Sequence, residues 1–123
     1  MSNYQPHILG KAAEQAVCQH LSQHGLQLVE SNYQCRFGEI DLIMNDKNIL
    51  VFIEVRMRKH HSHSSGLESV DFFKQKKIIN TATFYLQQKR LLNKSTCRFD
   101  VVGVKQCQGK FEFEWIKQAF EAY

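Results

Sequence analysis

The chain reads as an α/β sandwich, a central mixed sheet of about five strands flanked by helices. Two observations point there. The stretch from Gly38 to Arg58, GEIDLIMNDKNILVFIEVRMR, is apolar at alternating positions on both faces, so a sheet built from it needs a layer on each side. The segments before and after it carry apolar residues at helical spacing, which supplies those layers.

The first layer spans Ile8 to His24. Leu9, Ala13, Val17 and Leu21 recur every fourth residue with Ala12 and Ala16 beside them, and Gly25 is a natural C-terminal stop. Glu14 sits at the edge of this apolar stripe. It is either a surface glutamate near Lys11 and Cys18 or an acid reaching toward the sheet. Leu26 to Tyr33 alternates weakly as a first strand, and Cys35 to Gly38 connects it to the central hairpin.

In that hairpin Asn45-Asp46-Lys47-Asn48 is the turn-rich interruption, and a two-residue loop at Asp46-Lys47 is expected. Asn45 then faces Asn48, Asp41 faces Phe52 and Glu39 faces Glu54. Glu39, Asp41, Glu54 and Arg56 all project to one side, together with Ile43, Leu50 and Phe52. Ile40, Leu42, Met44, Ile49, Val51, Ile53 and Val55 cover the other. Asp41 and Glu54 become diagonal neighbours, roughly 7–8 Å apart at the backbone. Burying such acids costs several kcal/mol unless they are paired or bind a cation. One divalent ion bridges them, because carboxylate–magnesium distances are about 2 Å. A three-residue loop would separate the two acids instead.

After Arg58 comes KHHSHSSG. Its histidines, His60, His61 and His63, raise a transition-metal site as one reading. Their adjacent spacing gives no convergent face, so a solvated loop or polar flap is the expectation. Ser65-Gly66-Leu67-Glu68 fits a capping box. The helix after it carries Val70, Phe73, Ile78, Ala82, Tyr85 and Leu86 as its buried stripe, through to about Lys89. Lys74, Lys76 and Lys77 occupy its first turns, where the helix dipole slightly disfavours cations; nucleic acid is one account of them and simple solubility the other. Arg98 to Val104 is a further buried strand. Phe111 to Trp115 then alternates cleanly, with one wet face. A short C-terminal helix, IKQAFEAY, is expected to close the chain, its Phe120 and Tyr123 serving the core or a dimer contact. The expected order is therefore α-β-β-β-α-β-β-α.

At 123 residues the chain, 1–123, is one domain. No apolar run is long enough to span a bilayer, and the N-terminus lacks a basic segment followed by an apolar stretch. A cytoplasmic, non-membrane protein is expected. Cys18, Cys35, Cys97 and Cys107 show no metal-type spacing and are expected as reduced, partly buried thiols. The net charge of +4 is mild, but its distribution is uneven. From Arg56 to Lys94 there are nine Lys/Arg against two acids, a balance of +7; elsewhere seven stand against ten, a balance of −3. Such a run is either a solvated face or an attractor for a polyanion.

Two acids on one sheet face, followed by a cation two residues after the second, form the ordered set Asp41 then Glu54-Val55-Arg56. Metal-assisted phosphodiester hydrolysis uses such parts: carboxylates hold the ion and a nearby cation stabilises developing charge. The segments GKAAEQAV, GEIDLI, FIEVRMR, KQKKIINTATFYL and RFDVVGV, in this order, resemble the small bacterial YraN family over roughly Leu9 to Phe120. That resemblance implies a restriction-endonuclease-like PD-(D/E)xK fold similar to archaeal Holliday junction resolvases. It implies that Glu14 is a helix glutamate near the metal, that Asp41 and Glu54 are the metal-ligating acids, and that Arg56 stands in the place of the motif lysine. Glu39 falls to an auxiliary metal ligand. Arginine is essentially never deprotonated, so Arg56 orients water or binds phosphate but is no base.

Two functions follow. One is an endonuclease dependent on Mg²⁺ or Mn²⁺ that acts on structured or branched DNA, with Glu14, Asp41, Glu54 and Arg56 at its centre, a symmetric homodimer being one arrangement. Arg58, Lys59, Lys74 and Lys77 would then meet the nucleic acid. The alternative is a non-catalytic nucleic-acid-binding or assembly module that keeps the fold without the chemistry. A domain with no nucleic-acid partner is the third, blander option.

Overall fold

The computed structural model describes residues 6–58 and 67–122. Helix α1 (Pro6–Gln23) leads into β1 (Gln27–Cys35), β2 (Gly38–Asp46) and β3 (Ile49–Arg58). A 3-10 turn at Leu67–Ser69 precedes α2 (Phe72–Gln88), which is followed by β4 (Thr96–Cys107) and β5 (Lys110–Phe120). The strands form one five-stranded sheet in chain order. Every neighbouring pair is antiparallel except β3–β4, whose parallel pairing requires the α2 crossover.

The helices cover opposite faces. Ala13, Val17 and Leu21 of α1 pack on Leu42, Met44, Val51, Ile53, Val102 and Val104. Ile78, Ile79, Ala82 and Tyr85 of α2 pack on Ile43, Phe52, Phe99 and Val101. The two-sided apolar pattern of the central hairpin thus produces the expected sandwich, with β3 and β4 buried in its middle. All four cysteines are free and partly buried. Among the described residues no helix is long and apolar enough to cross a membrane.

Four local expectations are corrected. The β2–β3 loop is Lys47-Asn48, not Asp46-Lys47: both residues have positive φ (51° and 72°), and Asp46 pairs with Ile49. Asn48 tolerates the left-handed region, its N–H is held by Asn45 Oδ1 at 2.8 Å, and Asp46 is drawn off to Arg98 Nη1 at 2.8 Å. The loop keeps its length but moves along by one residue. Asp41 therefore comes level with Glu54, directly across from it rather than on the diagonal.

Alternation also breaks across Asp41. Ile40 lies in the core beneath α2, whereas Leu42 and Met44 lie beneath α1, so these three do not share a face. Tyr33 pairs with Ile40 and Ser31 with Leu42; between them Asn32 has a φ of 54°. That kink in β1 accompanies the change of face in β2.

The third correction concerns the start of α2. Its cap is Asp71, whose Oδ1 accepts from Lys74 N at 2.8 Å; Ser65 lies outside the described residues. Phe73 is 73% exposed rather than part of the buried stripe. It sits five residues ahead of Ile78, about 140° away around the helix.

Finally, no closing helix forms over Ile116–Phe120, which continue β5. Asp100 accepts from Gln118 N at 3.0 Å and Trp115 Nε1 at 2.9 Å, and Gln118 takes a φ of 50°. Those contacts hold the chain in register so that Phe120 pairs with Phe99 and stacks on it at 5.0 Å. Phe120 is core, not a dimer contact; Tyr123 lies outside the described residues.

Candidate functional site

Glu54 lies in the carboxyl-terminal half of β3, opposite Val101 of β4, and is only 6% exposed. The β2–β3 ladder ends one step earlier, at Leu42–Ile53. Asp41 fills the gap where the strands part: its Oδ2 accepts from Val55 N at 2.8 Å, so a side chain satisfies a donor the ladder has left open. Asp41 also lies against the Glu54 carboxyl. Burial first, and then the Glu54 charge, push the Asp41 carboxyl up to about 8 against the pull of the Val55 N–H. At neutral pH the Asp41 carboxyl therefore keeps its proton.

Two cations approach Glu54 from the other side. Arg56 Nη1 is 3.3 Å and Lys74 Nζ 3.5 Å from Glu54 Oε2. Arg56 is oriented by Ser69, whose Oγ accepts from its Nε at 3.0 Å. Lys74 is placed by the Asp71 cap one turn earlier. Arg56 and Lys74 are each about one-third exposed, so both face the solvent while touching a buried acid.

Glu14 comes from α1. Burial raises its carboxyl, Lys11 opposes that rise, the charge of Glu39 adds to it, Asn32 draws it back and the Glu54 charge adds a little more. Asn32 is thus both the kink that accompanies the turn of Asp41 and a neighbour of Glu14. A cleft of about 220 Å³, lined by Lys11, Glu14, Cys18, Ser31, Asn32 and Leu42, opens beside it between α1 and the sheet.

Of the residues expected from sequence, the fold brings together Asp41, Glu54 and Arg56, with Glu14 close enough to act on Asp41 electrostatically. It does not bring Glu39 to the pair, for Glu39 is exposed and accepts from Gln34 Nε2 at 3.2 Å. Arg58 is half-buried at the end of β3, Lys77 is exposed on α2, and Lys59 with the histidine loop lies outside the described residues. Lys74 moves from the nucleic-acid surface, where sequence had placed it, into the site itself. Its signal was the run of cations at a helix N-terminus with no acid in the first turn, unfavourable without a nearby anion. Ser69 and Asn32 carried no signal in the sequence.

Among the described residues no three His, Cys, Asp or Glu side chains gather into a metal-holding group. The donor set is the facing pair alone. Magnesium keeps several waters and takes one or two carboxylates, so two facing carboxyls are enough donors for it. An ion there would displace the Asp41 proton and compete with Arg56 and Lys74 for Glu54.

Fold and site together define a mixed α/β domain with a carboxylate pair, Glu54 buried and Asp41 half-buried, flanked by cations where two strands part. The chain belongs to the uncharacterised protein family UPF0102, whose model matches residues 13–104. That bears out the family resemblance carried by GEIDLI and VFIEVRMR. A UPF0102 protein of Ectopseudomonas mendocina is 45% identical over 114 residues, covering 93% of this chain and 95% of its own. One from Chromohalobacter salexigens is 44% identical over 122 residues, covering 99% and 98%. Among solved structures, Pyrococcus furiosus SfsA in complex with Ca²⁺ matches at a TM-score of 0.38 and 13% identity, covering 94% of this chain and 65% of that one.

Proposed function

We propose that this protein is a metal-dependent endonuclease that hydrolyses phosphodiester bonds in structured or branched DNA. The observation that carries the reading is the Asp41–Glu54 pair, a half-buried carboxyl set against a buried one in a basic surround. Asp41 and Glu54 would hold the ion, Mg²⁺ or Mn²⁺, with Glu14 adding negative charge from α1. When bound, that ion polarises the phosphate and acidifies an attacking water. Lys74 offers three N–H donors to orient the water or a phosphate oxygen at the place where Arg56 cannot act as a base. Arg56, locked by Ser69, presents its fork to phosphate. Val55 N–H holds the Asp41 carboxylate so that the pair stays aligned.

The test is incubation of junction, flap and linear DNAs with Mn²⁺. Cleavage by the wild type, lost in Asp41→Asn and reduced roughly 100-fold in Lys74→Ala, is the expected result. A second reading has its own support: Glu54 already has two cationic partners, which suits a non-catalytic binding module. It predicts salt-sensitive DNA binding with no cleavage at any metal concentration. Cleavage appearing only in Arg56→Lys would identify the arginine as the lesion and favour that module.

A further inference from the structure

We propose that the exposed first turn of α2 is a stacking platform for an unpaired base, so that the favoured nucleic acid has single-stranded nucleotides beside the scissile phosphate. This rests on the nuclease reading above and names its substrate class. Phe72 and Phe73 are 61% and 73% exposed, the most exposed large hydrophobic residues among those described. They immediately precede Lys74, whose Nζ lies 3.5 Å from Glu54. A base resting on Phe73 therefore sits one residue along the helix from the lysine that reaches Glu54.

The charge around the rings selects the occupant. Lys76 and Lys77 are exposed one turn along from Phe73, on the same stripe of the helix. The first turn holds no acid, and the nearby Asp71 carboxylate is committed to the Lys74 N–H. Cations against the positive end of a helix are offset when an anion sits over them. An aromatic face bordered by lysines matches a strand whose phosphates meet the ammonium groups while a base covers the ring. A second copy of the chain suits this patch less, because protein interfaces favour exposed aromatics but are depleted in lysine. Fully paired DNA suits it less too, since its base faces are already covered by stacking.

Fluorescence anisotropy on the full chain in EDTA, with labelled single-stranded, flap and blunt duplex DNAs, separates these cases. Phe73→Ala should weaken single-strand and flap binding roughly ten-fold or more while leaving blunt duplex within about two-fold. Phe73→Trp should restore it, and Lys76→Ala with Lys77→Ala should weaken all three DNAs and flatten their salt dependence. Equal loss on every DNA, or no loss at all, overturns the platform. So does a wild-type dimer in sedimentation that Phe73→Ala dissociates, which would assign the patch to a second copy. Because binding is read without metal, a failure to cleave sinks the nuclease reading and leaves this result standing.

Discussion

The proton that Asp41 keeps beside Glu54 makes stability depend on pH in a way that isolates the site. Asp41 binds its proton up to about pH 8 in the fold, against an ordinary value of 3.8. Between those limits the folded chain holds a proton that the unfolded chain has lost. This contribution is complete below about pH 4 and drains away as pH rises through 8, at about 1.4 kcal/mol per pH unit. Between pH 5 and 7, wholly inside the window, that is roughly 3 kcal/mol, or on the order of 10 °C in Tm for a domain of this size. His20 works in the opposite direction: burial and then His24 lower its proton affinity, so its contribution is lost as pH falls through its ordinary range. The clean quantity is therefore the difference between wild type and Asp41→Asn, which keeps the shape and the hydrogen bonds but removes the titration. Calorimetry in EDTA at pH 5, 6 and 7 should show wild type losing ground steadily to the variant. Parallel curves would refute a proton held on Asp41 at neutral pH.

Other expectations follow from single contacts. Millimolar Mn²⁺ should raise the wild-type Tm more at pH 8 than at pH 6, since the ion must displace that proton, and should not raise it in Asp41→Asn; an equal shift in both proteins would place the ion elsewhere. Gly38 opens β2 at a φ of 147°, and a Cβ there would meet Thr81 Oγ1 at 3.0 Å, so Gly38→Ala should cost about 1–3 kcal/mol in urea unfolding. An unchanged midpoint would show that the strand entry relaxes freely. Asp100 is 1% exposed and accepts from Arg98, Trp115 and Gln118, so Asp100→Ala should cost about 3–5 kcal/mol and release the β5 end. Loss of protection in hydrogen exchange over residues 116–120 checks the second half of that expectation.

Much of the site was legible because parity along a strand is robust. Moving a two-residue turn by one position slides β2 against β3 by an even step, so Asp41 stayed on the side of Glu54 although its distance was misjudged. The kink at Asn32 was hidden: a left-handed asparagine looks like any other polar strand residue until its partner strand is known. Phe73 was misplaced for a phase reason, since the helix begins at Phe72 under an Asp71 cap and its stripe is fixed by Ile78, Ala82 and Tyr85. The closing helix failed because a side chain decided it. Asp100, within the strand expected over Arg98 to Val104, captures the Gln118 N–H and keeps residues 116–120 extended.

The presence of Lys74 at Glu54 follows from topology more than from either residue. Because β3 and β4 run parallel, the chain leaving β3 at its carboxyl end must return to the amino end of β4. The connecting helix therefore begins beside the carboxyl end of β3, where Glu54 and Arg56 lie. Whatever stands in the first turn of α2 is delivered to that spot: Ser69 just before it to Arg56, Lys74 to Glu54, and Phe73 to the solvent edge above them. In open α/β sheets ligands collect beyond the carboxyl ends of strands for this same reason. Glu54 thus receives a lysine from the start of the crossover helix, twenty residues on in sequence and 3.5 Å away in space.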